Sequence, residues 1–262
     1  MNARVLFLSH GGGPLPLLGD PGHARMVTCL ESIASMLPRP DAIVVVSAHW
    51  EAPVATVTTG ATPSLIYDYY GFPESAYRIT YPCTGNPPLA QTLLDLLKAG
   101  NVPAQGDEER GFDHGLFVPL KILYPQADIP CVQLSLRGDL DAEAHVRMGE
   151  ALAPLLEQNV LVIGSGFSFH NMRAFFGERT AEAERLNQQF EDWLDETCTG
   201  ALSAFERRQR LVQWSQAPGA RFCHPREEHL LPLHVCCGMT GRAASESFRL
   251  DILERHASMY LW

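Results

Sequence analysis

The sequence predicts an α/β fold: a single-domain, three-layer α/β/α sandwich around a central, largely parallel (mixed) sheet. Three observations carry that expectation. Residues 5–8, 43–46, 129–134 and 160–163 are apolar runs without alternation, the pattern of strands covered on both faces. The segments between them repeat apolar residues at helical spacing. No internal repeat, low-complexity tract or Gly/Ser linker divides the chain, so residues 1–262 read as one domain.

The first strand begins at Val5 and runs into Ser9-His10-Gly11-Gly12. Met26, Leu30, Ile33, Ala34 and Leu37 then line one face of a helix that Pro38 and Pro40 stop. The second strand leads to His49-Trp50. Leu89, Leu93, Leu96 and Leu97 stripe a second helix, ended by Gly100. After the third strand a helix starts near Asp141 and carries Val146, Leu152 and Leu155, with Pro154 bending or ending its last turn. Beyond the fourth strand Thr180 caps a helix with Glu182 and Glu184 in its first turns and Leu186, Phe190 and Leu194 on one face. Gly200 ends it. A helix through Leu202, Phe205 and Leu211 and two late strands, at 248–252 and 259–262, complete the reading.

Composition excludes several classes of function. A net charge of −10 leaves no basic footprint for nucleic acid, and Arg207-Arg208-Gln209-Arg210 reads as a solvated helix face. No window approaches the ~18 apolar residues of a membrane span, and residues 5–8 are too few for a signal-peptide core. The seven cysteines include no CxxC pair, which fits reduced thiols better than a disulfide framework. A cytoplasmic protein is expected.

Histidines fall at the ends of the expected strands. His10 follows the first by two residues, His49 the second by three, and His170 lies a few residues beyond the fourth. Ligands of open α/β sheets bind outside the carboxyl ends of the strands, so three imidazoles are expected to converge on one crevice. Histidine is also the commonest ligand of zinc, iron, copper and nickel. The glycines after His10 and the Gly164-Ser-Gly166 step before His170 allow close backbone approach.

A fourth segment, His224-Pro-Arg-Glu-Glu-His229-Leu-Leu-Pro232-Leu-His234, reads as a helix opened by Pro225, with His229 in its first turn and a kink at Pro232. His229 and His234, five residues apart, lie ~140° apart around such a helix and share no ligand face. His234 is therefore expected to be structural, and His224 to cap or line the site. His23, His145 and His256 have no supporting chemistry around them. In Gly111-Phe-Asp113-His114-Gly115, the Asp-His pair serves either proton transfer or the capping of a following helix.

Taken together, Ser9-His10-Gly11, Val46-Ser-Ala-His49-Trp50, Gly71-Phe-Pro73, Gly111-Phe-Asp-His114-Gly115, His170-Asn171 and Glu228-His229-Leu-Leu-Pro232-Leu233 resemble the DOPA 4,5-dioxygenase branch of the class III extradiol ring-cleavage dioxygenases. The resemblance spans residues 5 to about 240. It implies metal ligation by His10, His49 and His229, with His170 as acid/base or further ligand and His114 as a second active-site histidine. It also implies non-haem Fe(II) in the active form, with Zn2+ an alternative occupant as purified. The implied partners are a small aromatic diol and O₂, with oligomeric state unspecified. Such a site leaves open positions for both diol oxygens and O₂, and a histidine takes the diol's proton and returns it. Tyr67, Tyr69 and Phe72 are candidates for stacking on the ring, or core aromatics. Arg78, Arg110, Arg173 and Arg226 are the candidates for binding a substrate carboxylate. Three histidines and a water would equally make a zinc hydrolase, and some members of this superfamily are non-catalytic binding proteins.

Overall fold

The computed structural model describes residues 5–262. In chain order its strands and α-helices are β1 (Val5–Ser9), α1 (Ala24–Met36), β2 (Ala42–Ala52), β3 (Ala55–Thr58), α2 (Pro87–Ala99), β4 (Ala104–Asp107), α3 (His114–Leu123), β5 (Cys131–Arg137), α4 (Ala142–Leu152), β6 (Val160–Gly166), α5 (Met172–Phe176), α6 (Ala181–Thr199), α7 (Ala204–Val212), α8 (Ala220–Cys223), α9 (Leu231–Thr240), β7 (Glu246–Ile252) and β8 (Arg255–Leu261). The strands form one eight-stranded sheet in the order β4-β3-β5-β2-β6-β1-β8-β7. Its centre, β5-β2-β6-β1, is parallel throughout, and β8 and β7 extend it as an antiparallel hairpin.

The central strands are apolar runs because both faces are covered. Ser165 of β6 donates to the Gly115 carbonyl of α3. A Cβ on its neighbour Gly164 would collide with the Pro232 carbonyl of α9. Adjacent strand residues point to opposite faces, so α3 and α9 lie in opposite layers. With α3 goes α1, and with α9 go α4 and α2. The helix starts read from sequence at Asp141 and Thr180 hold, and Asn86 and Ser203 cap two further helices; each of the four accepts a backbone N–H from its helix's first turn.

Two local expectations change. β2 does not stop at Val46 but runs to Ala52, and its pairing with β5 jumps from Ser47↔Ser135 to Glu51↔Leu136. Residues 48–50 are therefore a bulge, and His49 sits inside a strand rather than beyond one; a reading of apolar runs passes over the polar residues that carry the bulge. The segment around His229 is not a helix opened by Pro225 and kinked at Pro232. His229 lies in a turn, and Pro232 is in the first turn of α9, where its missing N–H leaves no bond unmade.

One buried carboxyl on α6 gives the fold a pH dependence. Glu191 is fully buried, accepts from Ser258 Oγ of β8, and has one oxygen without a hydrogen-bond partner. Burial lifts its pKa to about 7, against Ser258, Ser168 and Arg249, which favour the charged form. From about pH 4.5 to 7 the unfolded chain has released a proton that the folded chain still holds. Stability therefore falls as pH rises through that window, by roughly 3 kcal/mol in full. Glu191→Gln is expected to raise the melting temperature at pH 8 by about 5–10 °C and to change it little at pH 4.5. Melting curves at both values check this, and an equal shift at each would remove the ionisation from the account.

Candidate metal centre

Three adjacent parallel strands, β2, β6 and β1, each deliver a histidine at the carboxyl edge of the sheet. His10 follows β1 directly, its backbone N–H bonded to the Gly166 carbonyl at 3.1 Å. The chain then turns away at Gly11, whose φ of +84° suits glycine and whose missing Cβ makes room for Pro16 and His23. His49 is aimed by the β2 bulge. His170 lies four residues past β6, its N–H bonded to the Cys223 carbonyl at 2.9 Å. The fourth histidine, His229, is brought in by backbone contact. Phe167 N–H donates to its carbonyl at 2.9 Å, and a Cβ on Gly166 would stand 2.1 Å from that carbonyl oxygen. The glycine therefore sets how closely the His229 turn docks on β6.

The rings converge. Centroids of His10, His49 and His229 are 4.7, 4.9 and 5.2 Å apart, and His114 lies 3.9 Å from His49. His170 stacks on His229 at 3.4 Å. Hydrogen bonding then fixes which nitrogen each ring offers. Ser165 has one proton, spent on the Gly115 carbonyl, so its oxygen accepts from His10 Nδ1 at 3.0 Å. His10 Nε2 is thereby left as a bare lone pair. His229 Nδ1 faces the Glu228 carboxylate at 3.0 Å, which frees its Nε2 in the same way. His49 Nε2 meets His10 Nε2 at 2.9 Å, and its Nδ1 looks toward Asp68 at 3.7 Å, the side on which its proton sits when Nε2 serves as a ligand.

Electrostatics keep these rings uncharged. Burial, and then the neighbouring His229, His114 and His170, hold His10 far below the usual imidazole range; burial and the same cluster depress His49. Burial likewise pushes His229 down to about 3. Glu228, although burial favours its neutral form, is held well below the carboxylate range by His170 and His229. Neutral, oriented imidazoles are the form that binds a transition metal, and the donor set fits one. Two ligand triads emerge, His10-His49-His114 and His170-Glu228-His229, and they share one crevice.

The crevice opens into a cavity of about 470 Å³ that the five histidines line together with Asp68, Tyr69, Phe72 and further apolar side chains. A family model for the catalytic LigB subunit of aromatic ring-opening dioxygenases matches residues 6–259. The chain belongs to that family. LigB-family relatives include a dioxygenase of Hapsidospora irregularis, 40% identical over 90% of this chain and 78% of its own. A 4,5-DOPA dioxygenase extradiol of Portulaca grandiflora is 40% identical over 90% of this chain and 85% of its own, and one from Escherichia coli K12 is 37% identical over 89% and 84%. A solved structure from Escherichia coli K12, described as uncharacterized, superposes with a TM-score of 0.75 at 29% identity, covering 99% of both chains.

In this LigB-family chain the residues expected from sequence fall as follows. His10, His49, His114, His170 and His229 all line the cavity, as do Tyr69 and Phe72. Tyr67 stands one ring back, its hydroxyl on the Ile79 carbonyl and its ring edge-on to Phe117. His234 is structural, bonded to the Leu211 and Leu230 carbonyls. His224 bonds the Ser168 carbonyl behind the site. His23, read as having no role, accepts the Gly12 N–H at 2.9 Å and so steadies the turn after His10.

Asp113 occupies the position that caps α3, but its side chain bonds Ser47 and Arg110 rather than the helix. Sequence reasoning missed Asp68, which stands between Tyr67 and Tyr69. Its Oδ1 accepts both the backbone N–H of His114, at 3.0 Å, and its ring Nδ1, at 2.8 Å. Burial opposes the Asp68 charge, yet these bonds hold its pKa below the usual value. Ser165 was missed as well, although its place between two glycines marked a crowded step.

Proposed function

We propose that this protein is an extradiol dioxygenase that opens the ring of a catechol, a DOPA-like diol among the candidates, with non-haem Fe(II) held by His10, His49 and His229. The observation that carries the reading is the set of three neutral imidazoles whose Nδ1 sides are turned to Ser165, Asp68 and Glu228, facing a cavity partly walled by aromatic rings. When bound, the ion supplies acidification of a chelating diol and redox chemistry with O₂. The carbon–carbon bond beside the diol breaks and both atoms of O₂ enter the product, so the ring furnishes all the electrons and no separate reductant is consumed.

The chain's own groups do the rest. His170, oriented by Glu228 through its Nδ1 at 3.1 Å, takes the diol's proton and returns it as the ring opens. His114, clamped by Asp68 through Nδ1, steadies developing negative charge on oxygen when its Nε2 carries a proton. Tyr69 and Phe72 flank the ring, and the apolar walls exclude bulk water. No helix among the described residues is long and apolar enough to cross a membrane. Seven free thiols, six of them buried, suit a reducing cytoplasm.

Anaerobic loading with Fe(II), followed by oxygen-electrode assays over a panel of catechols, tests the reading. One O₂ consumed per catechol and a yellow ring-opened semialdehyde are expected, with no uptake for monophenols, which lack the second chelating oxygen. Absence of O₂ uptake with every catechol, together with ester or amide hydrolysis by the zinc-loaded protein, would replace it with a metallohydrolase.

A further inference from the structure

Beyond the histidine wall the cavity changes character. Apart from the histidines, its lining includes Leu15, Phe72, Phe167, Phe175, Phe176 and Leu253. Tyr70, Met172 and Phe176 at the rim are 92%, 52% and 84% exposed. Six large apolar side chains are strongly exposed among the described residues, the other three being Met36, Tyr77 and Phe205. Half of them therefore gather around this one opening, and a clustered exposed apolar patch marks a binding surface where scattered single residues do not.

The cavity's charges point the same way. Among the described residues no lysine or arginine lines it, and the one carboxylate that does, Asp68, is already engaged by His114. The arginines that sequence offered for a substrate carboxylate are placed elsewhere. Arg78 pairs with Glu74, Arg110 with Asp113, and Arg226 grips Glu51 through two bonds of 2.6 Å. Arg173 makes no ion pair among the described residues, but it lines an adjoining hollow with Arg226 and Pro225 that shares His170 and Met172 with the main cavity, and it does not line the main cavity itself. A carboxylate carried into the main cavity would be desolvated without a partner, which is costly. A volume of about 470 Å³ is also several times what one ring with two hydroxyls fills.

We infer that the substrate is a catechol bearing an extended apolar substituent, aryl or alkyl, which lies against Phe72, Met172, Phe175 and Phe176, and that compact carboxylate-bearing catechols are the poorer substrates. The inference presupposes ring cleavage at the same site.

Two probes of similar ring chemistry test it, 4-(2-phenylethyl)catechol and 3,4-dihydroxyphenylacetate. Each is titrated anaerobically into the Fe(II)-loaded protein by calorimetry and then assayed for O₂ uptake. The apolar probe is expected to bind about 10–100-fold more tightly and to show a kcat/KM higher by a similar factor. Phe176→Ala and Met172→Ala, both at exposed positions where folding is not at stake, should shrink the ratio between the two probes roughly tenfold. Equal affinities, a preference for the carboxylated probe, or a ratio untouched by both substitutions overturns the inference while leaving ring cleavage standing. If neither probe is oxidised while another catechol of the panel is, the inference is overturned and ring cleavage stands; if no catechol is oxidised, ring cleavage fails and the inference falls with it.

Discussion

His229→Ala, His10→Ala and His49→Ala are each expected to weaken metal binding by well over about 100-fold, because each removes an Nε2 donor outright. Loss of a group standing behind a ligand already costs ~10–100-fold. Metal content of the folded protein after equilibrium dialysis at a fixed free-metal concentration is the measurement. His145→Ala and His256→Ala are the controls. His145 bonds the Arg137 N–H and the Asp141 carbonyl, and His256 bonds Asp251 and Glu184, all away from the crevice. Full occupancy in any one of the first three variants would strike that residue from the ligand set. Zinc in a preparation would not count against iron, since imidazole sites hold zinc more tightly in the usual affinity order.

The second large effect is expected at His170. Its ring stacks on His229 and its Nδ1 faces Glu228, so it belongs to the ligand cluster and to the cavity wall at once. If its task is proton transfer, His170→Gln keeps iron and binds catechol anaerobically with affinity close to that of the parent. Turnover then falls by about 10²–10⁴, the range for removal of a general acid–base. Measuring metal content and turnover on the same sample separates the roles. A variant that loses iron while His10, His49 and His229 are intact makes His170 a ligand first and passes the proton to His114.

What the sequence made legible followed from local chemistry. The runs at 5–8, 43–46 and 160–163 announced themselves because β1, β2 and β6 are buried on both faces, and their order already set His10, His49 and His170 at one edge. Caps at Asp141 and Thr180 were readable because a cap and its helix are neighbours in sequence. The short strands β3 and β4 gave no such signal, being four residues each, and β4, at the edge of the sheet, is largely polar. The partners that orient the site were hidden for a different reason. Ser165 acts on a histidine 155 residues away and Asp68 on one 46 residues away, and no local pattern encodes a contact of that span. Glu228 stood beside His229 in plain view, yet its hold on His170 depends on how the α9 turn docks against β6.

The Ser165 hydroxyl ties together parts of the molecule that never meet in sequence. One proton, donated to the first turn of α3, obliges the oxygen to accept from His10 and so decides the tautomer of that ring before any ion arrives. The direction of this two-bond chain is set by a carbonyl, which cannot donate and therefore cannot let it reverse. A cation reaching His10 finds the required tautomer already in place, and the contact it has to displace there is the one to His49 Nε2.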